Sequence, residues 1–76
     1  MTIKDMKIGD IAVITKVDGS DPLRLRLLDM GLIPNTKIKV QKIAPFGDPI
    51  QIHLRGYDLT IRKEDAGKIQ VKKEVF

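Results

Sequence analysis

Metal-ligating side chains are sparse in this chain of 76 residues. His53 is its single histidine, and cysteine is absent, which excludes disulfides and thiolate sites. The carboxylates nearest to it in sequence are Asp48 and Asp58. A hairpin over residues 50–61 would set His53 opposite Asp58 on the outward side. Such a pair supplies two ligands, and a transition-metal ion wants more. The expectation is a surface cross-strand pair and no cofactor. The alternative is a weakly bound divalent transition metal held by Asp48, His53 and Asp58 across a subunit contact.

Catalytic patterns are missing. No glycine-rich loop runs into Lys-Ser or Lys-Thr, so nothing would cradle a nucleotide phosphate. There is no Ser-His-Asp set and no carboxylate pair in a pocket, so no enzyme is expected. Arg24, Arg26, Arg55 and Arg62 are available to assist phosphoryl transfer in a partner, although exposed arginines are ordinarily just solvated.

Lys37, Lys39, Lys42, Lys63, Lys68, Lys72 and Lys73 contribute to a net charge of +4. Single-stranded nucleic acid needs aromatic stacking platforms as well as charge. The aromatics are Phe46, Tyr57 and Phe76, and the hairpin register turns Tyr57 inward. The expectation is no nucleic-acid partner, with a small oligonucleotide-binding barrel as a second alternative. The lysines read more simply as protection of strand edges, or as attraction to an acidic partner or an anionic membrane face.

The elements that hold these residues are short. A chain of this length has room for one thin core, so residues 1–76 are read as a single domain. At 42% hydrophobic and 32% charged it is globular rather than disordered. No apolar run nears the ~20 residues of a membrane helix, and residues 1–10 carry no signal-peptide stretch. A cytoplasmic protein that is not membrane-embedded is expected.

Residues 11–17 alternate, with Ile11, Val13, Thr15 and Val17 on one face and Ala12, Ile14 and Lys16 on the other. Asp21 as N-cap and Pro22 at the first helical position open a helix that Gly31 ends, with Pro34 beyond. With Gly31 at C′, Leu27 and Leu32 should meet in a Schellman motif. Residues 36–43 form a second strand, with Ile38 and Val40 on one face. Residues 44–49 are a connection, because two prolines and a glycine forbid a ladder.

A two-residue Arg55-Gly56 turn pairs Leu54 with Tyr57, Ile52 with Leu59 and Ile50 with Ile61, all apolar. His53–Asp58 and Gln51–Thr60, all polar, interleave. A slip of one residue would put the apolar set in water. Residues 63–68 read as a tight turn, and Ile69, Val71 and Val75 as a last strand. The fold expected is mainly β: a small barrel of about five strands with one short α-helix inserted after the first.

At about 100° per residue, Leu23, Leu27 and Met30 share one helical stripe. Leu25 and Leu28 lie on nearly the opposite side, among Arg24, Arg26 and Asp29. One helix on a small barrel is not expected to bury both stripes. The surplus is either a partner surface or is covered by a loop or oligomer contact, so a homo-oligomer stays open. Leu25, between two arginines, is the first choice for exposure. Phe46 either lines a peptide groove, as loops of such barrels do, or caps the core, the simpler reading.

The run Arg24-Leu25-Arg26-Leu27-Leu28-Asp29-Met30-Gly31-Leu32-Ile33-Pro34, then Ala44-Pro45-Phe46-Gly47-Asp48-Pro49-Ile50, then Leu54-Arg55-Gly56-Tyr57-Asp58-Leu59-Thr60-Ile61-Arg62, resembles the FeoA family over nearly the whole chain. FeoA proteins are small cytosolic partners of bacterial ferrous-iron transport. The resemblance implies an SH3-like barrel and a role beside FeoB, the membrane permease with a cytosolic G-protein domain. Related domains end metal-dependent repressors, but with no DNA-binding module read ahead of this one a regulator is not the expectation. Asn35 departs from the glycine frequent after Pro34, and asparagine tolerates the same αL turn. The expected function is a non-enzymatic accessory of ferrous-iron uptake. Its expected partner surface is Arg24, Leu25, Arg26, Leu27, Leu28 and Phe46.

Overall fold

The alternation in residues 50–61 becomes a hairpin in the computed structural model, which describes residues 1–74. A 3-10 turn at Ile3–Asp5 leads into β1 (Ile11–Val17), α1 (Asp21–Asp29) and β2 (Lys37–Ile43). Next come β3 (Ile50–Leu54), β4 (Tyr57–Ile61), a one-turn α2 (Lys63–Ala66) and β5 (Ile69–Lys73). The strands form one antiparallel sheet in the order β4-β3-β2-β1-β5. The mainly β fold expected from the sequence is the one found.

All five hairpin pairs have the expected partners, from Leu54–Tyr57 to Ile50–Ile61. Arg55 (φ 49°) and Gly56 (φ 83°) are both left-handed, which makes the turn type I′ and suits the strand twist. Arg55 is an unusual first residue there, and its Nη2 donates to Thr36 Oγ1 at 2.9 Å. Asn35 takes up αL at φ 72°, as its side chain permits.

The helix start differs by one residue. Ser20 is the N-cap, and Asp21 joins the first turn, where its charge suits the macrodipole. Residues 63–68 hold the short α2 rather than a bare turn, and the opening 3-10 turn was missed although Thr2 and Asp5, spaced as a capping box, were its signal. The expected alternation in β1 also breaks. Ala12 and Ile14 are buried and so is Val17, because the pairing with β5 shifts between Ile14 and Lys16. That bulge adds a residue and moves the strand's apolar side across by one position. Val75 lies outside the described residues.

The core is one cluster joining the sheet to the helix. Ile14, Ile38, Val40, Ile52, Leu54 and Ile69 meet Leu27, Leu32 and Ile3 there. At about 25–30 cal/mol per Å² of apolar area removed from water, this packing is the main stabilising term.

Three aspartates in turns and at strand ends add a pH-dependent part. Asp5 accepts the Thr2 backbone N–H at 2.9 Å, which lowers its pKa. Asp10 accepts the Lys7 backbone N–H at 2.9 Å, with Lys73 beside it at 3.5 Å, and is also lowered. Asp18 is lowered chiefly by the Gln70 side-chain amide at 2.6 Å, then by Lys16. A carboxyl group more acidic in the folded chain favours folding above its unfolded value, here 3.8. That contribution is lost as pH falls through the lower folded values. Thermal melts from neutral pH into acid should therefore stay level until near the ordinary aspartate value and then drop. Asp18→Asn should make the drop shallower, and an unchanged acid limb would remove Asp18 from this account.

Candidate docking surface

Helix α1 is fixed at its C-terminal end by backbone chemistry. The Leu32 N–H donates to the Leu27 carbonyl at 3.2 Å and the Gly31 N–H to the Leu28 carbonyl at 3.0 Å. These are the two bonds of the Schellman motif, with Gly31 at φ 98° and Leu27 and Leu32 both sealed in the core. The Tyr57 hydroxyl donates to the Met30 carbonyl at 2.8 Å and satisfies another helix-end acceptor. Tyr57 is 42% exposed, which corrects its expected inward placement. It lies opposite buried Leu54 but on the edge strand, and its polar tip reaches the helix end instead.

With the helix end fixed, its faces are decided. Leu27 is fully buried, while Leu23, Leu28 and Met30 are half-buried against the core. Two corrections follow. Leu27 belongs to the core and leaves the expected contact set. The second stripe is also smaller than expected, because Leu27 and Leu28 straddle the helix floor and the barrel reaches both. Leu25 is the apolar residue that remains outside, 56% exposed, between exposed Arg24 and Arg26. Arg26 reaches Asp65 at 3.6 Å and so ties α1 to α2.

Phe46 is 95% exposed and caps nothing, so the capping reading fails. Its loop is pinned at the base. Gly47 N–H donates to the Ala44 carbonyl at 2.7 Å, and Ala44 N–H to the Pro49 carbonyl at 3.1 Å. Asp48 Oδ1 accepts the Lys63 N–H at 3.0 Å. The ring is thus held out at the tip of an anchored loop. Leu23 of α1 and Asp48 of this loop border the same open groove, with Lys4, Arg62 and Lys63 on its walls. Helix and loop therefore flank one groove.

The His53–Asp58 pair is where the hairpin register put it, with Nδ1 and Oδ1 2.7 Å apart at the surface. Asp48 is committed to the start of α2. Among the described residues no three His, Cys, Asp or Glu side chains gather into a metal-binding group. Ile8, 62% exposed, was missed by sequence reasoning. It lines a shallow hollow with Ile43, Ala44 and Pro49. An apolar residue beside the Gly9 turn, outside any strand pattern, was the available signal.

The FeoA domain family model matches residues 1–73. The chain belongs to the FeoA family. It is 38% identical over 72 residues to a Fe(2+) transport protein A/Fe(2+) transporter FeoB fusion protein of Porphyromonas gingivalis, covering 95% of this chain. It spans only 8% of that relative's length. The solution structure of FeoA from Chlorobium tepidum is 39% identical, with a TM-score of 0.89 over 99% of this chain and 71% of that one. A Stenotrophomonas maltophilia FeoA complexed with zinc, described as a prokaryotic SH3 domain protein, is 20% identical. It superposes with a TM-score of 0.81 over 95% of this chain and 89% of that one. The FeoA fold here is accordingly SH3-like, in a family associated with ferrous-iron transport. No helix among the described residues is long and apolar enough to cross a membrane.

Proposed function

We propose that this FeoA domain is a non-enzymatic cytosolic accessory of ferrous-iron uptake that docks on the G-protein domain of a FeoB-type permease. Docking would modulate the assembly of the permease or its nucleotide cycle. The observation that carries this is the P. gingivalis relative, in which a FeoA part and a FeoB transporter share one polypeptide. Leu25 between Arg24 and Arg26, with half-buried Leu28 near it on α1, is the anchor, and exposed Phe46 on its own loop is a second contact. Large apolar side chains rimmed by arginine are suited to dominate binding energy. The arginines also suit an acidic partner surface.

Capture of the isolated G-protein domain by this chain, with and without GTP, tests the reading. Leu25→Glu should weaken capture by at least about tenfold while the circular dichroism stays that of the parent. Phe46→Ala should weaken it by a smaller factor. Unchanged capture by Leu25→Glu would remove α1 from the interface. No capture by the parent chain would end the proposal.

A further inference from the structure

The two edges of the sheet are treated differently. The outer side of β5 is partly covered by the chain's own start: Thr2 bridges Gln70, and Val71 N–H donates to the Met1 carbonyl at 2.9 Å. The outer side of β4 has no such cover. β4 pairs only with β3, and among the described residues no other backbone hydrogen bond involves residues 57–61.

The direction of the free groups follows from the turn. A type I′ turn closes with a hydrogen bond between its first and last residues, so Leu54–Tyr57 is a hydrogen-bonded pair. Bonded and non-bonded pairs alternate along an antiparallel ladder. Ile52–Leu59 and Ile50–Ile61 are then bonded as well. His53–Asp58 and Gln51–Thr60 are the non-bonded pairs, so the N–H and C=O of Asp58 and Thr60 point to the open edge. Arg62 follows with extended backbone (φ −74°, ψ 150°) as the N-cap of α2. Its carbonyl already accepts the Ala66 N–H at 2.9 Å, so what it adds to the edge is its side chain. Asp58, Thr60 and Arg62 are all exposed.

We propose that the β4 edge pairs antiparallel with β4 of a second copy of this chain, with Thr60 opposite Thr60 and each Asp58 opposite Arg62 of the other copy. A two-fold interface must be self-complementary, and this segment is so in one register. Centring on Asp58 or on Arg62 sets like charges against each other. Centring on Leu59 or Ile61 pairs neither charge with its opposite. Centring on Thr60 joins the outward backbone groups and forms two Asp–Arg pairs at once. Within one chain Asp58 meets only His53, and Arg62 has no ion-pair partner among the described residues. The contact does not use Leu25 or Phe46, although Arg62 also borders the groove beside α1, so the docking reading is tested separately through Leu25.

Sedimentation equilibrium across a wide concentration range tests it. The parent chain should show a monomer–dimer equilibrium. Asp58→Arg and Arg62→Asp should each weaken it by at least about tenfold, because each sets two like-charge pairs across the axis. Mixed together, these two variants should form a heterodimer. One copy then carries arginine at both positions and the other carries aspartate at both, so each facing pair is again attractive. Both substitutions are on exposed side chains, and unchanged melting confirms the fold. A parent chain that is monomeric throughout overturns the proposal. So does a dimer indifferent to either charge reversal, or one that Leu25→Glu dissolves instead, or variants that fail to combine on mixing.

Discussion

Gly31→Ala is expected to be among the most damaging small substitutions in this protein, costing about 2–3 kcal/mol of unfolding free energy. Two independent causes add. Gly31 sits at φ 98°, where an L side chain meets the following carbonyl, at roughly 1–2 kcal/mol. A Cβ at this position would also overlap the Tyr57 hydroxyl. The ring must then withdraw from the Met30 carbonyl, which loses a hydrogen bond worth about 1 kcal/mol. A domain of this size has roughly 4–11 kcal/mol in all. Urea unfolding of the parent, Gly31→Ala, Tyr57→Phe and the double variant separates the causes. Tyr57→Phe alone should cost about 0.5–1.5 kcal/mol. In its background Gly31→Ala should cost about 1 kcal/mol less than in the parent, because the clashing oxygen is gone. Strict additivity would show that the hydroxyl plays no part and that backbone conformation is the whole effect.

What could be read beforehand follows the range of the interactions concerned. The hairpin was legible because its register, its turn and its alternation are set within one short segment whose residues constrain one another. The helix end was legible for the same reason, since Gly31, Leu27 and Leu32 are close neighbours in sequence. The αL turn at Asn35 was legible through the family resemblance, which puts glycine there, together with asparagine's tolerance of αL. The β1 bulge was not legible. Thr15 has no feature that marks it as the extra residue, and only the pairing with β5, far along the chain, creates the shift. Tyr57 was misplaced for a related reason. Pair parity turns it inward beside buried Leu54, but β4 is an edge strand, and the acceptor that holds its hydroxyl is Met30 at the C-cap of α1, 27 residues earlier. Of the expected contact set, Leu25 and its arginines proved exposed. Leu27 did not, because a step of about 100° per residue cannot show how wide a floor the barrel offers to the helix.

That difference within one helix turn yields the second large effect. Leu27 and Leu25 are near neighbours and chemically identical, yet they belong to different parts of the protein's work. Leu27→Ala removes buried methyl groups from a site with no solvent access, and should cost about 2–5 kcal/mol, depending on how far the neighbours close in. Against a total of roughly 4–11 kcal/mol, that loss removes a large share of the stability. Leu25→Ala should change stability by no more than about 0.5 kcal/mol, because its side chain is already mostly in water. If α1 is the docking element, the order reverses in a binding measurement made on folded protein. Leu25→Ala should then lose more affinity than any substitution at Leu27 that keeps the core filled, Leu27→Met being the control. Chemical denaturation and capture of the G-protein domain, run on the same three variants, read the two rankings. Equal sensitivity of binding to Leu27→Met and Leu25→Ala would mean that the helix acts only as a strut, with the partner contact elsewhere. Opposite rankings would separate the residue that builds the helix platform from the residue presented on it.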